Sequence, residues 1–352
     1  MSGVTSLWFS KTSLWTDAAP PTMERFILES NIRVEREEQD KNTLLATVDL
    51  QGLQGPLSRE ARTALGESIE RCGFVNLVNH AVELESLQAL QERAVELFQL
   101  PAAEKLRCAA PETGFQRGYT PMGGERARDQ RVGDLKEFWH IGRERPVGHP
   151  ERALTGANLF PESHSDFRQL TLQLFEMLEQ VALFVLRELA EYLSLSIDEQ
   201  HYLSRIAEDG NSVLRVIHYP PQQDRPADGI RAAAHEDINL LTLLPTASKP
   251  GLEIFTRGGE WVPVNAPHGS LICDTGDMMA LLTGGRLPAT THRVVNPPQD
   301  DGGRISSPFF LHPRPEAILR PLLGAGEARS AHDFLRERLW ENGLITDGSH
   351  PH

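Results

Sequence analysis

The chain has 352 residues, 39% hydrophobic and 24% charged, with 35 Lys and Arg against 49 Asp and Glu for a formal charge of −14. That composition belongs to a folded chain of one large or two ordinary domains and excludes disorder throughout. The acidic excess argues against a general affinity for nucleic acid or anionic membrane, because phosphate binding needs a local surplus of cations; it leaves room for a small basic pocket that takes an acidic metabolite.

Cys72, Cys108 and Cys273 are far apart and form no Cys-x-x-Cys pair. Such spacing points to buried thiols in a reducing, cytoplasmic compartment rather than to a disulfide framework or a zinc ribbon. No apolar run approaches the ~20 residues that span a bilayer. The opening "MSGVTSLWFSKTSLWTDAAPPT" lacks the continuous apolar core of a secretory signal.

Residues 1–43 read as a loosely held or peripheral extension, with Trp8 and Trp15 as possible docking points. "LLATVDL" (44–50) is a first strand. Ser58 caps a helix in which Ala61, Leu65 and Ile69 share a face and Gly73 ends it, and "GFVNLVNH" is a second strand. Leu84, Leu87, Leu90, Ala94 and Leu97 mark another helix, stopped by Pro101. The stretch 111–165 is loop-rich, with a short strand at "LKEFWHIG", and 111–145 has the glycines of a lid.

Residues 167–193 are apolar on more than one face, as expected of a long helix on a sheet whose solvent stripe is Gln169, Gln173, Glu176 and Gln180. Ser196 and Glu199 form a capping box for one more helix. After residue 212, "SVLRVIHY", "INLLTLLP", "LEIFT", "EWVPV", "SLICD", "DMMALL", "ATTHRVV" and "ISSPFFL" follow one another, with "RGGE" (257–260) as a hairpin turn. About eight such strands suggest a two-sheet sandwich or jelly roll. The expected fold is mixed α+β: a helical region 44–211, a jelly-roll catalytic core 212–315, and a C-terminal tail and helix 316–352 packing on it.

"HEDINLLTLLP" (235–245) places His235 and Asp237 two apart at the head of a strand, hence on one face, with Glu236 turned away. Two histidines and one carboxylate with open positions are the ligand set of oxygen-activating non-haem Fe(II). His292 in "ATTHRVVNP" offers the third ligand, although His218, His268 and His312 lie in the same half, and a His-x-Asp pair alone is more often a polar strand edge. A protease-like zinc helix is a poor alternative, because the position that needs its second histidine is Asn239. No Gly-x-Ser-x-Gly elbow or phosphate-binding Gly-x-x-x-x-Gly-Lys loop is present. Arg304 and Ser306 in "GGRISSPFF" are again two apart; a guanidinium fork with a hydroxyl beside it binds a carboxylate, although an isolated Arg-x-Ser more often serves a structural ion pair.

The order His235-x-Asp237, His292-Arg293-Val294, Arg304-x-Ser306 resembles the isopenicillin N synthase-like branch of the Fe(II)/2-oxoglutarate-dependent oxygenases. So do "VDLQGL", "CGFVNLVNHAV", "LFQLPAAEK", "GYTPMGGE", "DLKEFW", "LRVIHYPP", "GLEI", "WVPV" and "FFLHP", in order, over roughly residues 45 to 315. The resemblance implies a double-stranded β-helix wrapped by N-terminal helices. It implies Fe(II) on His235, Asp237 and His292, 2-oxoglutarate as cosubstrate on Arg304, Ser306 and Tyr219, and O2 as oxidant. Its departures are Ile217 for an asparagine, Ala81 for a glycine, and a long "PPQDDGG" before Arg304.

The implied reaction oxidises a small molecule, hydroxylation being the default, as 2-oxoglutarate yields succinate and CO2. One alternative is an oxidase or oxidative cyclase of the isopenicillin N synthase type, which dispenses with 2-oxoglutarate; another is a non-catalytic jelly-roll binding or sensor protein. In the lid-like loop, Arg117 and Tyr119 are the candidates for substrate contact, while Arg126, Arg128 and Arg131 stand among Glu125, Asp129 and Asp134 and read better as solvated.

Overall fold

Two β-sheets face each other, and His235, Asp237 and His292 come together on the side where they meet. In the computed structural model, the described residues are 44–124, 134–221, 230–296 and 302–341. The extension 1–43 and Arg126, Arg128, Arg131, Glu125 and Asp129 of the lid-like loop lie outside them.

From the N-terminal side come β1 (Thr47–Asp49), α1 (Arg59–Cys72), β2 (Phe74–Val78), α2 (Leu84–Phe98), α3 (Ala102–Leu106), β3 (Gly118–Thr120), β4 (Glu137–Gly142), α4 (Pro150–Thr155), α5 (Ser165–Tyr192) and α6 (Ile197–Ala207). The core follows with β5 (Val213–Tyr219), β6 (Ala232–His235), β7 (Leu241–Pro245), β8 (Leu252–Phe255), β9 (Trp261–Pro263), β10 (Leu271–Thr275), α7 (Asp277–Leu282), β11 (His292–Val294), β12 (Arg304–Ser306) and β13 (Phe309–Leu311). The chain then forms β14 (Ile318–Leu319), β15 (Arg329–Ser330) and α8 (Ala331–Glu341), whose Arg338 pairs with Asp277 at 2.9 Å.

The larger sheet runs β1-β2-β10-β7-β13-β5-β4-β3, with β12 also on β5; the smaller runs β6-β11-β8-β9. Four strands that precede residue 212 therefore extend the jelly-roll sheet. Ile217, Tyr219 and Phe138 of the larger sheet pack against Ala232 and Val294 of the smaller, and Phe74 and Ile272 against Leu252 and Ile254. The opposite face of the larger sheet carries the helices. There α5 buries Phe167, Leu174, Phe175, Leu178, Val181, Val185 and Leu189, with Phe175 edge-on to Phe309 at 5.1 Å. Each such side chain contributes about 1.5–3 kcal/mol on leaving water.

By length and composition alone α5 could cross a bilayer. Its exposed Gln169, Gln173, Glu176 and Gln180 instead form a single stripe, so the apolar residues wrap the rest of a helix that packs on the sheet.

The helix signals read from the sequence have their expected physical form. Ser58 accepts a hydrogen bond from the Ala61 amide, and Ser196 with Glu199 closes a capping box. Gly73 ends α1 with φ +73°, and a Cβ there would come within 2.2 Å of Thr290 Oγ1. The turn of α1 into β2 thus sits directly against the segment leading to His292.

Two strand assignments change. "DMMALL" is the helix α7, because Met278, Met279 and Leu282 are buried at helical rather than alternate spacing. The amides of Asp277 and Met278 at its start donate to the carbonyls of Asp237 and Ile238. Nor do His235 and Asp237 head one strand: His235 ends β6 in the smaller sheet, and the chain crosses to the larger sheet before β7 begins at Leu241. Asp237 lies in that crossing.

Candidate active site

His292 on β11 stands directly opposite His235 on β6 in the antiparallel register, which brings two segments distant in sequence together. Their rings lie 4.4 Å apart, centroid to centroid. Asp237 closes the group. Its Oδ1 is 3.8 Å from His235 Nε2 and 3.9 Å from His292 Nε2, and one ligand atom from each of the three residues lies within 4.8 Å of the others.

The surrounding hydrogen bonds orient all three. His235 Nδ1 is 2.7 Å from the Ala233 carbonyl and His292 Nδ1 is 3.1 Å from the Thr290 carbonyl. A carbonyl can only accept, so each Nδ1 carries a proton, and each Nε2 is turned toward Asp237 Oδ1. Thr242 Oγ1 donates to Asp237 Oδ2, and Asn239 Nδ2 donates to Thr242 Oγ1 at 2.9 Å. Oδ2 is thereby held and Oδ1 faces the imidazoles.

Gly276 leaves room for this loop, since a Cβ there would meet Asn239 O at 2.5 Å and Asp237 O at 2.8 Å. Desolvation, reinforced by His292 and opposed by Asp237, holds His235 down to about 4, so it is neutral at pH 7. Burial, then Asp237, pushes the nearby Asp274 carboxyl up. Two inward Nε2 atoms and one carboxylate oxygen on one side, the His235 side chain still 38% exposed on the other, fit a divalent first-row metal with open positions.

Beside this group β12 pairs with β5, placing Arg304 opposite Tyr219 and Ser306 opposite Ile217. All four are buried, and the Arg304 guanidinium lies 5.2 Å from the Tyr219 ring centroid while its Nε donates to the Lys249 carbonyl at 2.9 Å. Ile217, in place of the family's asparagine, makes that part of the wall apolar. A second guanidinium, Arg231, is fully buried 6.0 Å from the same ring. The sequence reading overlooked it, although its spacing from Ala233 and His235 puts it on their side of the chain.

The two substrate candidates part company. Tyr119 pairs with Trp139 and faces the helices, where its hydroxyl donates to Glu137 Oε2 at 2.6 Å. It does not reach the space between the sheets. Burial, then Glu137, pushes its hydroxyl pKa up. Lys105 and His218 bond the same Glu137 at 2.6 and 2.9 Å, so His218 also lies on the wrong side to compete for the metal, and His268 is exposed.

Arg117 is different. Gly118 follows it with φ +77°, which breaks the strand alternation. Its guanidinium occupies the space a Cβ on Gly142 would take, on the inner face of β4 with Phe138 and His140.

Comparison with known proteins decides the family. Residues 210–313 match the 2OG-Fe(II) oxygenase superfamily, and residues 45–163 match the N-terminal family described as non-haem dioxygenase in morphine synthesis. A 2-oxoglutarate-dependent dioxygenase, citB, from Monascus ruber is 30% identical over 80% of this chain and 88% of its own. This chain belongs to the 2OG-Fe(II) oxygenase superfamily.

Homoarginine-6-hydroxylase 2-ODD-C23.1 of Arabidopsis thaliana is 28% identical over 73% of this chain and 78% of its own. The crystal structure of a putative 2OG-Fe(II) oxygenase family protein from Caulobacter crescentus superposes with a TM-score of 0.74 at 36% identity, over 84% of this chain and 98% of that one. The protein is an Fe(II)/2-oxoglutarate-dependent dioxygenase, with the jelly-roll core and N-terminal helices of that superfamily.

Proposed function

We propose that this dioxygenase hydroxylates a small organic molecule, with His235, Asp237 and His292 holding Fe(II) and Arg304, Ser306 and Tyr219 holding 2-oxoglutarate. The observation that carries the ligand assignment is the inward orientation of both Nε2 atoms toward Asp237 Oδ1, each fixed by a carbonyl at its Nδ1.

Bound Fe(II) supplies oxygen activation coupled to decarboxylation of 2-oxoglutarate to succinate and CO2. The chain's own residues do the rest. The two imidazoles and the carboxylate would hold the metal, and the partly exposed side of His235 would leave access for cosubstrate. Thr242 and Asn239 keep Asp237 from rotating out of place. Arg304 offers a planar cation to the distal carboxylate with the Ser306 hydroxyl on the same face, and the Tyr219 ring covers the guanidinium.

The dependence on 2-oxoglutarate that relatives carry in their names supports this cosubstrate over the oxidase alternative. Homoarginine, named for one of them, supports a small molecule as substrate. Three buried free thiols fit a reducing, cytoplasmic location.

The test is incubation of the purified protein with Fe(II), oxygen and 2-oxoglutarate. Succinate release is expected from the wild type and is lost in His235→Ala. If succinate does not form, or forms equally in the variant, the assignment is wrong.

A further inference from the structure

Of the three side chains assigned to the metal, His235 is the least enclosed. It is 38% exposed, against 11% for His292 and 9% for Asp237. The difference follows from the sheet. β11, with His292, lies between β6 and β8, whereas β6 ends the smaller sheet and among the described residues pairs only with β11. An edge strand turns a row of backbone N–H and C=O groups away from its neighbour, where nothing in its own sheet can take them.

Ala233 meets that need two residues before the ligand. In a strand the N–H and C=O of one residue point the same way. The Ala233 carbonyl lies 2.7 Å from His235 Nδ1, and its amide donates to Asp134 Oδ1 at 3.4 Å. Beside it the Leu135 amide donates to the Ile230 carbonyl at 3.1 Å. Residues 134 and 135 lead into β4 of the larger sheet, so these two bonds tie the larger sheet to the open edge of β6.

Asp134 is itself held. Asp134 and Lys136 are both buried, and Lys136 Nζ lies 2.9 Å from Asp134 Oδ2. One carboxylate oxygen thus meets a cation while the other meets the backbone of β6. Desolvation of such a pair offsets most of its attraction, so its chief contribution here is a fixed position rather than net stability.

With its amide bound, Ala233 stays in place, and its carbonyl keeps the imidazole in one orientation. Without Asp134 the amide turns to water, the edge of β6 loosens, and His235 Nε2 is no longer held against Asp237 Oδ1.

We propose that Asp134 is a positioning residue for the metal site: through the Ala233 backbone it fixes His235 from the edge of the smaller sheet, as Thr242 fixes Asp237 from the larger one. The proposal rests on the assignment of the metal ligands above.

The test titrates metal-free, full-length protein with Co(II) by calorimetry and records the visible spectrum of the bound Co(II), which reports ligand geometry without turnover. Asp134→Ala is expected to weaken Co(II) binding by about tenfold or more and to change the spectrum, whereas Asp134→Asn, which keeps an oxygen for the Ala233 amide, stays within about threefold of the wild type. Arg62→Gln breaks the ion pair to Glu188 between α1 and α5, at 2.8 Å, and serves as the control for stability. It is expected to lower the melting temperature and to leave Co(II) affinity and spectrum unchanged.

If folded Asp134→Ala binds Co(II) as the wild type does, if Asp134→Asn loses as much as Asp134→Ala, or if Arg62→Gln loses as much, the proposal is overturned. Hydrogen exchange of the wild type gives an answer even where Asp134→Ala does not fold. The Ala233 amide is expected to be protected like the amides of β11, and exchange at the rate of an open strand edge would overturn the proposal. Unchanged Co(II) binding by His235→Ala would instead overturn the ligand assignment.

Discussion

Replacing Thr242 with valine tests how the Asp237 carboxylate is held. Thr242 is 4% exposed; its hydroxyl donates to Asp237 Oδ2 and accepts from Asn239 Nδ2. Valine keeps the shape and removes both bonds. Loss of a hydrogen bond to a charged group costs about 1.5–3 kcal/mol, and the stranded Asn239 amide adds about 1 kcal/mol or more.

Metal-free Thr242→Val should therefore be less stable by about 2.5–4 kcal/mol, read from urea unfolding. The carboxylate, freed to rotate, no longer presents Oδ1 to the metal. Loss of such an orienting partner weakens metal affinity by about 10- to 100-fold. Anaerobic Fe(II) titration reads that affinity, with Thr242→Ser expected to restore most of it. If Thr242→Val unfolds more easily yet binds Fe(II) within twofold of the wild type, Thr242 is a packing residue and the orienting argument fails.

Other expectations concern neighbouring positions. Arg304→Gln should weaken 2-oxoglutarate binding by about 2–3 kcal/mol, some 30- to 150-fold, with Fe(II) affinity unchanged; equal loss of both would make Arg304 a structural residue. His312 bears on acid stability. Its folded value near 4 lies below its ordinary 6.5, so below pH 6.5 the unfolded chain takes a proton that the folded protein does not. Stability from this group is whole above pH 6.5 and is lost as pH falls toward 4, up to about 3 kcal/mol. Metal-free His312→Gln should show a flatter fall over that range in pH-dependent unfolding, and an identical slope would contradict it. Ala81 is exposed with φ +62°, a backbone region that favours glycine, so Ala81→Gly should raise stability by about 1 kcal/mol in thermal unfolding. A lower melting temperature would refute that strain.

Local chemistry made much of this legible in the sequence. The caps at Ser58 and Ser196 and the wide apolar face of α5 depend only on neighbours along the chain. His235, Asp237 and His292 were named together because their order with Arg304 and Ser306 resembles a family pattern; the His-x-Asp spacing alone left His218, His268 and His312 as competitors for the third place. Their geometry was not: it depends on an exchange between two sheets, with Asp237 in the crossing, that no local period encodes.

Strand alternation tells which residues share a face but not which face is the pocket. That is why Tyr119, read as a substrate contact, turns out to face the helices. The positive φ of Gly118 then turns Arg117 inward while Tyr119 goes out, a local break in a two-residue period that composition cannot signal. The α7 segment failed for a related reason. Its short apolar run suits strand and helix alike, and the carbonyls of Asp237 and Ile238 that accept from its first turn come from elsewhere in the fold.

Anomalous diffraction from crystals grown with Mn(II) and 2-oxoglutarate tests the account most directly. It predicts one strong metal peak within bonding distance of His235 Nε2, His292 Nε2 and Asp237 Oδ1, with the cosubstrate's far carboxylate against Arg304 and Ser306. A map with no metal among those three side chains, or with the metal held elsewhere, would contradict it.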